Sequence, residues 1–256
     1  MRTVRLLRVG FWMQLKLRQA SAFDSFLAII WPLFFATSIF LVYRHQTDPT
    51  ALMSAAIGTS VMGVWTAATA SAAGSLQNER QQGTLELLVL SPRSFPLTLV
   101  PLTLSMAVIG LYALVATLLW LRFVLGLHLV IADPVAFAVA SLATAVATAA
   151  MGFVLALSTV RYRSAWAIGA AVELPVWLIC GFIVPLSHLP LWVGVLARLL
   201  PITWAVQAVH AAALGRGIGL DIVATAVLTA AFYAGGALLS RRLLHSARVH
   251  AVLALT

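Results

Sequence analysis

Long apolar runs dominate the chain, and their length predicts helices that cross a membrane. The runs lie at residues 22–43, 51–76, 97–121, 134–160, 165–185 and 220–240. About 20 residues at 1.5 Å rise are needed to cross a ~30 Å hydrocarbon layer, and each run has about that length. The alternating ten-residue strands of an outer-membrane barrel are absent from the sequence. The pattern therefore predicts an all-α integral membrane domain with six transmembrane helices.

The stretch between the fifth and sixth runs, residues 186–219, is apolar but repeatedly interrupted. The interruptions are Pro190, Arg198, Pro201, Gln207 and His210. One interpretation is a seventh span with Arg and His at membrane depth. The other is a pair of short helices, Leu191–Leu200 and Trp204–Leu214, each too short to cross, which favours a re-entrant or interfacial hairpin. The glycine-rich residues 215–219 that follow predict a flexible turn.

The distribution of basic residues favours the hairpin. With six spans and both termini in the cytoplasm, twelve of the sixteen Lys and Arg residues lie on the inner side. The four on the outer side are Arg44, Arg122, Arg198 and Arg216. A seventh span would move Arg241, Arg242 and Arg248 outside, against the positive-inside bias. We therefore predict six spans, cytoplasmic N- and C-termini and an outer re-entrant hairpin at 186–219.

Composition supports this assignment and narrows the function. The chain has 256 residues, of which 62% are hydrophobic and 9% are charged, against roughly half and a quarter in a soluble domain. This excludes a water-soluble globular protein. The formal charge of +9 is then mainly a signal for membrane orientation, so no nucleic-acid partner is predicted.

The N-terminal residues 1–20 predict an amphipathic helix in the plane of the membrane surface. Apolar side chains recur at helical spacing on one side, and basic side chains lie on the other. The apolar set is Val4, Leu7, Phe11 and Leu15, and the basic set is Arg5, Arg8 and Lys16. The alternative is a loose basic tail that serves only to orient the chain.

Motifs for enzyme chemistry are missing from the sequence. A phosphate-binding loop G-x-x-x-x-G-K-[ST] needs a lysine, and Lys16, the only one, follows Leu15 without the required glycines. The patterns H-E-x-x-H, C-x-x-C and G-x-S-x-G do not occur either. We predict no catalytic residue, metal site or cofactor in this chain, and any ATP must be bound by another chain.

Residues 77–92, between the second and third runs, form the most informative polar stretch. On a helix, Glu79, Gln82, Gly83 and Glu86 share one polar face, opposite an apolar face. Gly83 would let the backbone of a partner approach closely, and Pro92 would end the helix. Such a helix fits beneath the membrane with its polar face toward the cytosol. A solvated inner loop that is only by chance amphipathic fits the same pattern.

A family resemblance adds to this interpretation. The run Glu79-Arg80-x-x-Gly83-Thr84-Leu85-Glu86-x-Leu88-x-x-Ser91-Pro92 resembles the motif between the second and third spans of ABC-2 type permeases. These are the membrane subunits of one class of bacterial ABC exporters, with a type V-like fold. The N-terminal helix, the six runs and the Leu200-Pro201-Ile202-Thr203 segment are also similar, so the resemblance covers one domain, residues 1–256. One departure is the lack of a second acid beside Arg80 and Gln81.

The resemblance implies a permease in the bacterial inner membrane that pairs with a second copy, more readily a homodimer than a heterodimer. It also implies two ATP-binding subunits, which bind the ATP and Mg²⁺, on the cytoplasmic side. The residues implied to couple the permease to them are Glu79, Arg80, Gly83, Thr84, Leu85, Glu86, Ser91 and Pro92. Export of an amphiphilic drug, antibiotic or lipid-like molecule is expected, with polysaccharide or glycolipid export as the alternative.

Candidate path residues come from the spans. Glu173 lies mid-way along the fifth run, where a carboxylate costs about 2.5–3.5 kcal/mol on insertion scales. One interpretation is that it borders a cavity between two copies and either contacts a cationic or polar substrate or stabilises a hinge. The other is a protonated carboxyl that is hydrogen-bonded within the bundle. Pro175, two residues later, is expected to break the helix. The second run supplies four more candidates, which line a path or simply allow close packing: Thr59, Trp65, Thr66 and Thr69.

Two further classes of function compete with the permease. A secondary transporter or channel would be expected to show an inverted repeat or several intramembrane ionisable groups. An intramembrane enzyme would need polar catalytic dyads. The sequence shows one such ionisable group, Glu173, and neither a convincing repeat nor a dyad, which favours the permease.

Overall fold

The computed structural model describes residues 2–19, 22–44, 49–81, 83, 96–161 and 165–250. Within these residues the regular structure is helical, with nine α-helices and a short 3₁₀ turn at Leu186–His188. The helices are α1 (Arg2–Gln19), α2 (Ala22–Tyr43), α3 (Pro49–Gln81), α4 (Pro96–Phe123), α5 (Pro134–Arg161), α6 (Ala165–Ile179), α7 (Leu191–Arg198), α8 (Pro201–Ala213) and α9 (Gly219–His250). All six predicted runs coincide with helices, which confirms the all-α fold.

Four stretches of the described chain are long and apolar enough to cross a membrane. They are Ala51–Thr69, Leu97–Phe123, Pro134–Ser158 and Gly219–Arg242. A fifth is present if α7 and α8 form one bent span, and Ile29–Tyr43 is a shorter apolar helix. The count of six spans stays a prediction.

The central helix of the bundle is α3, which packs against α2, α4, α5, α6 and α8. Its apolar stretch is 72% buried, whereas that of α9 is only 17% buried. The α9 helix packs on α5 and α8 and otherwise presents apolar side chains outward. The fold thus has a packed interior around α3 and a large apolar surface that fits a lipid environment or another membrane chain.

The fifth run forms a shorter helix than predicted. The sequence predicts a span over 165–185, but α6 ends at Ile179. Gly181 adopts φ +82°, a left-handed conformation that stops the helix. A Cβ added at Gly58 of α3 would overlap the carbonyl oxygen of Phe182. The missing side chain at Gly58 therefore lets the turn after α6 approach α3 closely.

The break between α7 and α8 follows from the sequence. Pro201 occupies the first turn of α8, where its missing N–H costs nothing, but it could not continue α7. The two helices meet at 98°. Thr203 Oγ1 donates to the carbonyl of Ala197 at 2.6 Å, and Trp204 Nε1 donates to that of Arg198 at 2.8 Å, so side chains from α8 satisfy the end of α7. The two short helices were predicted; whether they re-enter the membrane stays a prediction.

The turn after α8 is better defined than the sequence predicts. Gly215 adopts φ +68°, its N–H donates to the carbonyl of Ala212, and the N–H of Arg216 donates to that of Ala211. These two bonds with a left-handed glycine form a Schellman cap. The first two residues of the predicted turn therefore cap α8, and the flexibility of the turn stays a prediction.

The N-terminal helix α1 packs on α4 and, more weakly, on α2. Leu15 is buried and Phe11 is half-buried, whereas Arg5, Arg8 and Lys16 are exposed. The apolar and basic sides thus agree with the amphipathic pattern. Its position in the membrane plane stays a prediction.

Close helix packing at Gly110 gives a stability prediction. A Cβ added there would lie 2.7 Å from Cα of Val64, so Gly110→Ala must push α3 and α4 apart. We expect a loss of about 1–3 kcal/mol, as for other overpacked cores, seen as a lower unfolding temperature in detergent. The control is Gly235→Ala, where the added Cβ meets nothing within 4 Å. Equal unfolding temperatures for the two variants would contradict the close α3–α4 approach.

Candidate functional site

The predicted coupling segment begins within α3, because this 33-residue helix continues past the apolar run to Gln81. Glu79 and Arg80 therefore lie in its last turn. Gly83 is exposed and has φ +71°, and no atom of the residues that the structure describes lies within 4 Å of where its Cβ would be. A left-handed residue does not continue an α-helix. The helix of the predicted coupling segment is therefore interrupted at Gly83, and the coupling role of the segment stays a prediction.

The rest of the coupling motif lies outside the described residues. This applies to Thr84, Leu85, Glu86, Ser91 and Pro92, whose roles stay predictions. Near this motif, the structure describes the helix α1. Its Gly10 lies against Pro101, in the second turn of α4. Because α4 begins soon after the motif, α1 and the end of α3 share one end of the bundle. The exposed basic side chains of α1 are at that end.

The structure brings two of the predicted path residues together. Thr66 Oγ1, on α3, donates to Oε1 of Glu173, on α6, at 2.6 Å. Both residues are half-buried. Next to Glu173, Leu174 and Leu178 are 62% and 53% exposed. The carboxyl is therefore held by a hydroxyl on one side, at the edge of an apolar face that the chain itself leaves uncovered.

The helix around Glu173 is continuous. Pro175 lies inside α6, which continues to Ile179, so the predicted break at Pro175 is wrong. Its exposed position explains this, since the ring points away from the packed side and the helix is supported by Val176 and Trp177, both buried. The Trp177 ring packs edge-on against Phe35 of α2, with centroids 5.1 Å apart.

The remaining path candidates are inside the bundle of the single chain. Thr59, Trp65 and Thr69 are buried. The Thr59 hydroxyl donates to the carbonyl of Ala56 at 2.8 Å, and that of Thr69 to the carbonyl of Trp65 at 2.9 Å. Trp65 Nε1 has no hydrogen-bond partner among the described residues. This geometry supports the packing interpretation for these three, and their role in a path stays a prediction.

The structure also shows a polar cavity that the sequence reasoning did not assign. It has a volume of about 330 Å³ and lies where α7, α8 and the start of α9 meet. Its polar lining residues are Arg198, Gln207, His210, Arg216 and Asp221. The available signal was the polar interruption of residues 186–219, in which Gln207 and His210 are three residues apart and so share a helix face.

The part of the chain that the structure describes holds no group of three His, Cys, Asp or Glu side chains placed to bind a metal ion. Cys180 is a free, buried thiol. The polar features that the structure brings together are thus the Glu173–Thr66 pair and the cavity around His210.

The described residues form an all-helical bundle with four helices, or five if the bent α7–α8 pair is one span, that are long and apolar enough to cross a membrane, which indicates a multi-pass membrane protein. The family model described as ABC-2 type transporter matches residues 5–214, which is most of the chain. The chain therefore belongs to the ABC-2 type transporter family, as the sequence motif predicted. No match was found among curated proteins. Family membership makes the chain a permease component that is not itself an ATPase, and it implies an ABC ATP-binding partner.

Proposed function

We propose that the chain is the membrane-spanning permease of an ATP-driven exporter. Two copies form the path, and two separate ATP-binding subunits supply the energy from the cytoplasmic side. The substrate is an amphiphilic small molecule such as a drug, an antibiotic or a lipid-like compound. The Glu173–Thr66 pair is the observation that carries the path.

The surroundings of Glu173 support a second copy of the permease. A carboxylate facing hydrocarbon costs about 2.5–3.5 kcal/mol on insertion scales, and within the described part of the chain the hydroxyl of Thr66 satisfies one of its two oxygens. The adjoining Leu174 and Leu178 are exposed in the single chain. A second copy covering this face of α6 would remove Glu173 from lipid and place it at a cavity between the copies.

The character of that cavity supports the proposed substrate class. One carboxyl and one hydroxyl would lie among apolar side chains, including Leu174. A glycan needs many hydrogen-bonding partners along its length, whereas an amphiphile needs apolar surface and one or two polar anchors. An amphiphile, especially a cationic one, therefore fits better than the alternative, a polysaccharide or glycolipid.

The proposed topology completes the transporter. The six spans are α2, α3, α4, α5, α6 and α9, with α1 on the inner surface and α7–α8 as an outer re-entrant hairpin. Both termini are then cytoplasmic, in a bacterial inner membrane. The 98° bend between α7 and α8 and the exposed basic side of α1 support this arrangement. Closure of the ATP-binding subunits would act on residues 77–92 and from there on α3 and α4.

The test is purification of the tagged chain followed by transport measurements. We expect an ABC ATP-binding subunit to co-purify, and the complex but not the chain alone to hydrolyse ATP. Inside-out vesicles should accumulate a fluorescent cationic amphiphile with ATP, and not with a non-hydrolysable analogue. Accumulation by the chain alone, driven by an ion gradient without ATP, would instead favour a secondary transporter.

A further inference from the structure

The cavity near His210 is a built polar site at the end of the bundle opposite Gly83. Its volume of about 330 Å³ lies within the ~300–1,000 Å³ range of small-molecule pockets. Two arginines, Arg198 and Arg216, line it together with Gln207, His210 and Asp221. Even with the imidazole neutral, the wall carries more positive than negative charge.

The polar groups are held in place by the surrounding backbone. Arg198 ends α7, where its carbonyl accepts the 2.8 Å bond from Trp204. Arg216 follows the left-handed Gly215, and its N–H bonds the carbonyl of Ala211 at 2.8 Å. Both arginines therefore extend from fixed points on either end of α8, which is itself mostly buried. The site does not depend on an unsupported loop.

His210 supplies an independent sign of a missing ligand. It lines the cavity, and its Nε2 atom is buried with no hydrogen-bond partner among the described residues. An unsatisfied buried polar atom destabilises a structure, so a ligand group that reached Nε2 would be favoured.

The distribution of basic residues over the whole chain also favours an anionic ligand in this cavity. In the proposed topology only four of the sixteen basic residues lie at the outer end, because Lys and Arg are disfavoured in translocated segments. Two of those four line this one cavity. The planar guanidinium group of arginine can bind two oxygen atoms of a phosphate at once, and its positive charge complements that of the phosphate.

Apolar surface lies next to the charged wall. Trp192 and Val195 on α7 are exposed, as is Leu199, which directly follows the last residue of this helix, Arg198. Leu214, which lines the cavity, is also exposed. A ligand with a charged head in the cavity could therefore place apolar chains along α7.

We propose that this cavity binds the phosphate group of an anionic ligand. Arg198 and Arg216 hold the phosphate oxygens, and His210 Nε2 and the Asp221 carboxyl accept hydrogen bonds from hydroxyl or amine groups on the same headgroup. The phosphate belongs to a membrane lipid or to a water-soluble ester. The site is distinct from the Glu173 path and requires neither ATP nor the coupling segment.

The test measures binding to the purified full-length chain in neutral detergent without ATP, so its outcome is independent of the proposed transport function. The probes are short-chain phosphatidylglycerol, glycerol 1-phosphate and the matching diacylglycerol without phosphate, each followed by native mass spectrometry. We expect phosphatidylglycerol to bind, and Arg198→Gln/Arg216→Gln to weaken it about tenfold or more, as expected for lost charged hydrogen bonds. The matched control is Arg122→Gln, an exposed arginine outside the cavity, which should bind normally.

The possible results distinguish a lipid phosphate from a soluble phosphate ester, and both of these from a site that binds no phosphate. Tighter binding of phosphatidylglycerol than of glycerol 1-phosphate identifies a lipid headgroup, and equal binding identifies a soluble phosphate. Equal binding of diacylglycerol and phosphatidylglycerol would overturn the proposal, as would wild-type affinity in the double variant. If the double variant unfolds, binding is measured with Arg216→Gln alone. This single variant should stay folded, because the helix cap uses the backbone N–H of Arg216 and not its side chain.

Discussion

Gly83→Trp is expected to abolish ATP-driven transport while the permease stays folded in the membrane. Gly83 is exposed, and among the described residues no atom lies within 4 Å of the site of its missing Cβ, so these residues leave room for a side chain. A bulky ring here would occupy the surface on which the ATP-binding subunit is proposed to dock. The left-handed φ of +71° adds about 1–2 kcal/mol of local strain and would redirect the segment leaving α3.

The measurement compares transport and ATP hydrolysis in the reconstituted complex. Coupling energies between sites are typically about 1–3 kcal/mol, so transport should fall about tenfold or more. The permease should still purify as a folded protein. Glu86→Arg, which reverses one charge in the same motif, should show the same loss of transport.

A matched glycine at the other end of the bundle serves as the control. Gly126 has φ +68° and, like Gly83, no atom within 4 Å of where its Cβ would be, but it follows α4 at the opposite end. Gly126→Trp carries the same bulk and strain and should transport normally. Wild-type transport by Gly83→Trp would contradict the coupling assignment, and equal losses in both variants would assign the effect to strain alone.

The sequence was sufficient to predict the elements of the fold, because span-forming helices are encoded locally. Each helix can be recognised from a run of apolar residues ended by charges, prolines or glycines, and Pro201 marks the break between α7 and α8. The failures also had local causes that composition does not show. Gly83 and Gly181 take left-handed conformations, which glycine permits but does not require, and Pro175 is tolerated within α6.

The residues that form each site were harder to predict, because they come together only where helices that are distant in sequence meet. Thr66 and Glu173 are 107 residues apart, and their periodicity alone does not reveal that they touch. The polar cavity likewise combines Arg198 from α7, His210 from α8 and Asp221 from α9. Each of these residues is visible in the sequence only as an isolated interruption of an apolar stretch.

Glu173→Gln is expected to reduce the export of cationic amphiphiles by about tenfold or more, with little effect on folding. The amide oxygen of glutamine can still accept the 2.6 Å hydrogen bond from Thr66, so the α3–α6 contact is kept. What is lost is the negative charge, and a hydrogen bond to a charged partner is worth about 1.5–3 kcal/mol. The measurement is ATP-driven uptake into inside-out vesicles of two fluorescent amphiphiles of similar shape, one cationic and one neutral.

The threonines of α3 provide the control that separates a path from packing. Thr66→Val removes the donor to Glu173, whereas Thr69→Val removes a hydroxyl that bonds only its own helix. If Glu173 borders the path, Thr66→Val should alter cationic export and Thr69→Val should not, because only the first changes how the carboxyl is held. If Glu173 is instead a packing group, Glu173→Gln should transport both amphiphiles at wild-type rates, and Glu173→Leu and Thr66→Val should lower only the unfolding temperature.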